Sequence, residues 1–360
     1  MQAVQFQLDR TDIRKSRFVD IELPHNLDEG EILLSIDRFA LTANNISYAA
    51  TGDVIGYWKF FPVAEPWGLV PVWGFANVLA SNHPQIKVGE RIYGFLPFAS
   101  HVIFQPGKVK PNSFVDTTAH RVDLPPIYND YLRVQKAALP PAAEDIQMLF
   151  QPLFATSFLL HDFFEDNDRF GAKNVILGSA SSKTAMGVAR LFAQSGGNKP
   201  NIIGLTSAGN KDFVQKIGDC DQVYSYDELG QIPKQKSVYI DMAGNAQVKR
   251  ALHEHLGDAL VYSCAVGISH WDKFEDPGPM PGAKPIFFFA PDQALKRRKE
   301  WGGAALQSKI GTALQDWAST DMDWLKITHG SGKTDAKRMF AEIMAGQVSP
   351  NTGYVLSLKS

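Results

Sequence analysis

A chain of 360 residues exceeds the roughly 100–200 residues typical of one globular domain, so two domains are expected. With 44% hydrophobic and 21% charged residues, the composition is that of a folded protein and excludes a disordered chain. A formal net charge of −2 provides no global basic field for nucleic acid, and two cysteines exclude both a disulfide framework and a four-cysteine zinc site. Residues 1–12 have no apolar secretory core, and no apolar run is long enough for a bilayer. The expectation is a cytoplasmic protein with a small-molecule substrate and neither nucleic acid nor membrane as partner.

The first 120 or so residues read as β-rich. Residues 31–37 (EILLSID) form a strand after a turn, and 70–79 form a second apolar run. Residues 87–95 are a turn entering a third strand, and 100–105 are a fourth. Short strands separated by Gly and Pro turns point to a small barrel or sandwich.

After Pro140-Pro141 the period changes. Leu149, Leu153, Phe154, Phe158 and Leu159 recur at helical spacing over 144–165, with Pro152 expected to kink or split that helix. Residues 174–178 (NVILG) are a strand without alternation, as a sheet buried on both faces requires. An amphipathic helix over 184–195 ends at Gly196-Gly197. Strands at 201–205, 222–225, 237–241, 259–264 and 285–289 then alternate with helices at 211–217 and 247–256. This β-α order predicts a doubly wound parallel sheet. Residues 292–360 contain two or three helices and a closing strand at 353–358.

The turn after the 174–178 strand carries the chemistry. Ser179, Ala180, Ser181, Ser182, Lys183 and Thr184 open a helix, where backbone N–H groups favour a pyrophosphate. All but Lys183 are small, four carry hydroxyls, and Lys183 adds a positive charge. An ordinary helix cap is the alternative. G-x-G-x-x-G is absent, and a P-loop is disfavoured because Ser182, not glycine, precedes the lysine. At the end of the next strand stand Thr206, Ser207, Asn210 and Lys211, with no acid for a ribose 2′-OH. That favours NADP over NAD, with a solvated polar loop as the alternative. Two further strand ends, one with Gly244 and one with Ala265, Val266 and Gly267, are expected to line the same cleft. Asp241 reads as a cap on the Gly244 turn.

Other constellations are weaker. The histidines form no H-E-x-x-H, and His253 and His255 are too close in sequence to share a helix face, so no metal is expected. No tyrosine has a lysine four residues on, and G-x-S-x-G is absent. The cluster Tyr57-Trp58-Lys59-Phe60-Phe61, with Trp67 and Trp73, is either packing or an apolar wall for an enone, a quinone or an acyl chain. Tyr128 and Tyr131 either pack or supply a phenol.

The order of elements resembles the medium-chain dehydrogenase/reductase superfamily, on its zinc-independent quinone-oxidoreductase side. The matching stretches are 31–37, 87–94 (KVGERIYG), 174–178, 218–226 (GDCDQVYSY) and 241–244 (DMAG). More narrowly, 57–62, 152–158 and 179–185 look like a branch known only as a domain of unknown function. The resemblance implies an α/β protein, a GroES-like β-rich domain (1–143 and 292–360) plus a Rossmann doubly wound parallel sheet (144–291). It also implies NADP as cofactor and a homodimer, the latter fitting an apolar edge strand at 285–290. The family's glycines fall on Ser182, Lys183 and Ala185. Its NADP lysine falls on Asn210 or Lys211, and its tyrosine on Tyr226. Its substrate-side Asn-Tyr pair corresponds to Tyr48, with Asn44 and Asn45 offset by a position or two. Tyr48 and Tyr57 are therefore expected as proton donors or oxyanion partners, assisted by Asn44 or Asn45. The function so implied is an NADPH-dependent, metal-free reductase transferring hydride to an activated C=C or C=O. The competing readings are a reductase-like binder of NADP or a small ligand without redox turnover, and non-redox chemistry on the same fold.

Overall fold

The computed structural model describes residues 1–134, 140–197, 199–267, 278–319 and 322–359. They divide into two units, Met1–Leu149 with Asp323–Ser360, and Phe150–Met322.

The first unit is built on long antiparallel strands. Ile32–Leu41 pairs with Pro71–Ser81, which pairs with Arg91–Pro97, which pairs with Asp130–Val134. The C-terminal strand Thr352–Ser357 returns to Ile32–Leu41, aligning Tyr354 with Leu41, and Lys326–Ser331 runs parallel beside it. Phe39, Phe75 and Phe95 on these strands, and Phe98 just beyond one of them, are wholly buried. A charged network fixes the start of the helix Pro141–Asp166. Glu144 is bound by Arg38 and Arg91 at 2.6 and 2.5 Å, and Asp145 by Arg38 at 2.8 Å.

That helix continues through Pro152 without the expected split. Proline removes one N–H from the ladder, but Leu149, Phe150, Leu153 and Phe154 are all buried around it. Trp317 stacks on Phe154 and meets Phe150 edge-on, at centroid distances of 5.4 and 5.1 Å. This packing holds the helical path where local propensity argues against it.

The second unit is a parallel sheet. In chain order its strands are Asn174–Gly178, Asn201–Thr206, Gln222–Ser225, Ser237–Asp241, Leu260–Ala265 and Pro285–Phe287. In space they lie 3-2-1-4-5-6, the doubly wound order with its switch point between the first and fourth strands. Val175 and Leu177 bury against one helical layer with Phe164, Val188 and Phe192, whereas Ile176 buries against the other with Leu252 and Leu256. Burial on both faces explains the unbroken apolar runs.

The second unit extends to Met322, past the boundary expected at 291, and begins at Phe150 rather than 144. The helices Ala290–Trp301 and Gly303–Ala318 belong to it because Arg297 bonds Asp162 at 2.6 Å and Asp166 at 2.9 Å, while Trp317 packs on Phe154. Among the described residues no helix is long and apolar enough to cross a membrane.

Candidate functional site

The strand Asn174–Gly178 ends in a turn whose first residue, Ser179, has φ +53°. This left-handed conformation favours glycine, and here a serine holds it through hydrogen bonds to Tyr226. Ser182 then caps the helix Lys183–Gln194, accepting from the Ala185 amide at 3.3 Å. Between them, Ser181 Oγ accepts from Thr206 Oγ1 and from Asn210 Nδ2, each at 3.2 Å. The Ala180 amide donates to the Leu205 carbonyl at 3.0 Å. The turn is thus stitched to the end of the second strand, with the first-turn residues Lys183 and Thr184 half-buried beside it. Burial lowers the Lys183 pKa to about 8.

The second-strand residues divide into three roles. Thr206 was expected to face a 2′-phosphate, but it is 1% exposed and spends its hydroxyl on Ser181. Asn210 likewise turns its amide to Ser181. Both serve to lock the turn, because a buried hydroxyl or amide must find a partner inside the protein. Ser207 is exposed. Lys211 is half-buried and paired with both oxygens of Glu228, at 2.8 and 2.6 Å. Tyr226 sits at the first turn, on Ser179, rather than beside Lys211 in the hydrogen-bond pattern. Burial, then the charge of Asp241, pushes its phenol up to about 12.

The two further strand ends are tight turns. Asp241 Oδ1 accepts from the amides of Ala243 and Gly244 at 3.1 and 2.9 Å, and its other oxygen meets Lys249 Nζ at 3.0 Å. Gly244 has φ +73°, which the turn requires. Ala265, Val266 and Gly267 close over the same point, with Val266 N donating to the Asp241 carbonyl at 2.9 Å. A Cβ on Gly267 would lie 2.2 Å from the Met242 carbonyl oxygen, so no other residue fits there.

In the first unit, Tyr48 and Tyr57 come together with ring centroids 4.6 Å apart. Tyr48 accepts hydrogen bonds from Trp73 Nε1 at 3.2 Å and Asn44 Nδ2 at 3.4 Å. The Tyr57 and Tyr128 hydroxyls are 3.0 Å apart. Burial raises the pKa of all three phenols. Asn45, by contrast, is not available to a substrate. Its Oδ1 accepts from the Thr42 amide at 2.7 Å and its Nδ2 donates to the Pro71 carbonyl at 2.8 Å, in a capping box for the helix Ala43–Ala50. The sequence presents Asn44 and Asn45 as equals; only the helix phase separates them.

Of two further contributors, Glu228 escaped the sequence reading and Tyr128 did not. Tyr128 was weighed only generally as a phenol, and its alignment with Tyr57 needs the fold. Glu228 had a legible signal, since Ser225-Tyr226-Asp227-Glu228 matches the S-x-x-E capping box, which it forms. Tyr131 is structural, donating to the Phe95 carbonyl at 2.5 Å. Among the described residues no three His, Cys, Asp or Glu side chains are grouped to hold a metal.

The GroES-like plus Rossmann fold expected from the sequence is shared with several solved structures. CurA from Vibrio vulnificus in complex with NADPH is similar at 14% identity, with 99% of each chain covered and a TM-score of 0.66. A mutant form of enoyl thioester reductase from Candida tropicalis is 12% identical, with 99% of this chain and 100% of that one covered and a TM-score of 0.60. The quinone oxidoreductase from Coxiella burnetii is 13% identical, with 99% of each chain covered and a TM-score of 0.55. At such identities the likeness is one of fold. No curated protein matches the sequence. The family described as "Protein of unknown function (DUF2855)" matches residues 39–349, and the chain belongs to that family.

Proposed function

We propose that the protein is an NADPH-dependent, metal-free reductase that passes hydride to an activated C=C or C=O, of the enone, quinone or ketone type. The observation that carries this reading is the turn 179–182, set at the start of a 12-residue helix beyond the carboxyl end of a strand at the sheet's switch point. The likeness in fold to a protein in complex with NADPH supports the choice of cofactor. The residues fit a dinucleotide: small side chains admit a pyrophosphate, and Lys183 sets a positive charge at the start of the helix beside it. NADPH supplies the hydride when bound. The chain's own tasks are to hold the phosphates on 179–184 and to protonate the reduced acceptor. Tyr48 suits the second task. Its oxygen already accepts from Trp73 and Asn44, so its O–H is the part left to donate, and its raised pKa keeps it protonated. Tyr57, bonded to Tyr128, is the oxyanion partner.

The test is a titration of NADPH fluorescence, followed by NADPH oxidation against quinones, enones and ketones. Saturable binding and turnover of one acceptor class are expected. Failure of the protein to bind either dinucleotide overturns the reading, and binding without turnover of any class leaves only a reductase-like binder.

The same reading makes the protein a cytoplasmic homodimer joined along the edge strand Pro285–Phe287, where Ile286 and Phe287 are 50% and 51% exposed. A monomeric mass in solution at micromolar concentration would refute the dimer.

A further inference from the structure

The second strand of the sheet ends without an acid, yet a carboxylate stands beside that end in space. Glu228 belongs to the 3-10 segment Tyr226–Gln231, which follows the third strand, and the third strand pairs directly with the second, Ser225 aligned with Thr206. Its oxygens lie 2.8 and 2.6 Å from Lys211 Nζ, and one of them also accepts from the Ser225 amide at 2.8 Å. Lys211 and Glu228 are 27% and 32% exposed at their side chains, so a ligand can reach both. Hydrogen bonds from Lys211 and then the Ser225 amide hold the Glu228 carboxyl down at about 2, so it is ionised at any neutral pH.

We infer that Glu228 is a specificity-determining residue that opposes Lys211 in the choice between NADPH and NADH. The inference rests on the dinucleotide reading given above. In a sheet of this order the adenosine ribose lies at the end of the second strand, where an acid receives a 2′-OH and a cation receives a 2′-phosphate. This chain presents both. A 2′-phosphate that engages Lys211 must share its ammonium with a carboxylate within hydrogen-bond distance, and like charges at such separations repel. A 2′-OH meets no such opposition and can donate to the same carboxylate. The pair therefore narrows the preference for NADPH that Lys211 alone would give, and Glu228 carries the repulsive half of the discrimination. The capping role of Glu228 fixes its position without using up its charge.

The experiment measures dissociation constants for NADPH and NADH on the wild-type chain, Glu228→Gln and Lys211→Met. Glutamine keeps an oxygen for the Ser225 amide and removes only the charge. In Glu228→Gln the ratio Kd(NADH)/Kd(NADPH) is expected to rise about fivefold to tenfold, mainly through tighter NADPH. In Lys211→Met, with Glu228 unopposed, the ratio is expected to fall below the wild-type value. An unchanged ratio in Glu228→Gln, or an equal loss for both cofactors, overturns the role of Glu228 while leaving the dinucleotide reading intact. A wild-type chain that binds neither dinucleotide overturns both.

Discussion

The hydroxyls of Tyr57 and Tyr128 meet at 3.0 Å although 71 residues separate them in the chain. Arg121 stabilises this meeting from behind. Its guanidinium is buried, donates to the Tyr128 carbonyl at 2.9 Å and pairs with Asp116 at 2.8 Å, and it lies over the Phe60 and Phe61 rings. The aromatic wall is therefore backed by a buried guanidinium whose charge is paired with Asp116.

If Tyr48 donates the proton, Tyr48→Phe leaves NADPH binding intact and lowers kcat by about 100-fold or more, the usual scale for a lost general acid. Tyr128→Phe removes only the partner of Tyr57 and is expected to have a smaller effect on kcat. Steady-state kinetics with whichever acceptor is turned over separate the two, and an unaltered kcat in Tyr48→Phe rejects its assignment.

Lys183→Ala should weaken NADPH and NADH alike, by about 1–3 kcal/mol, since both carry the pyrophosphate. The pH dependence has a definite sign. Because burial lowers the Lys183 pKa to about 8, the ammonium that attracts phosphate is lost as pH rises through that value. Affinity should therefore fall between pH 7 and 9 in the wild type, and this slope should vanish in the variant. A loss confined to NADPH would point to the ribose end instead. The same group affects folding in the opposite direction. A buried base favours its neutral form, so its charge-burial penalty is present below about pH 8 and is relieved as pH rises towards the unfolded value.

Asn44→Ala and Asn45→Ala should differ in kind. Asn45→Ala strips partners from the Thr42 amide and the Pro71 carbonyl and is expected to cost about 1–3 kcal/mol of stability. Asn44→Ala loses one long bond to Tyr48 and should change stability little while altering turnover. Chemical denaturation of both variants checks this, and equal stability losses would show the assignment to be mistaken.

Glu144 should contribute to acid sensitivity. Burial works against its ionised form, but hydrogen bonds from Arg91 and Arg38 outweigh it and hold its carboxyl below the usual range. Its stabilisation is therefore fully present above the unfolded pKa and is lost as pH falls through the lowered folded value. Glu144→Gln is expected to cost about 3 kcal/mol at neutral pH, with the deficit shrinking in acid. Urea denaturation across pH 3–7 measures it, and a deficit independent of pH would contradict the charge argument.

Local sequence determined a large part of this protein. The strand Asn174–Gly178 and the strand Ser237–Asp241 lie where the sequence places them, because burial on both faces of a parallel sheet leaves a continuous signal. The turn at 179–182 was legible because strand, small residues and helix follow one another within one short segment. The Asp241 cap on Gly244 was legible for the same reason, since partners three residues apart are fixed by a single turn. Only the tertiary structure decided the rest. Thr206 and Asn210 read as open polar residues, but their partner Ser181 stands 25 and 29 positions away. Glu228 meets Lys211 only because their strands become neighbours, and Arg297 draws its helix to Asp162 across 135 positions. Periodicity reports which face of an element is apolar. It does not report which polar groups that element meets, and polar partners decide which residues are locked and which stay open to a ligand.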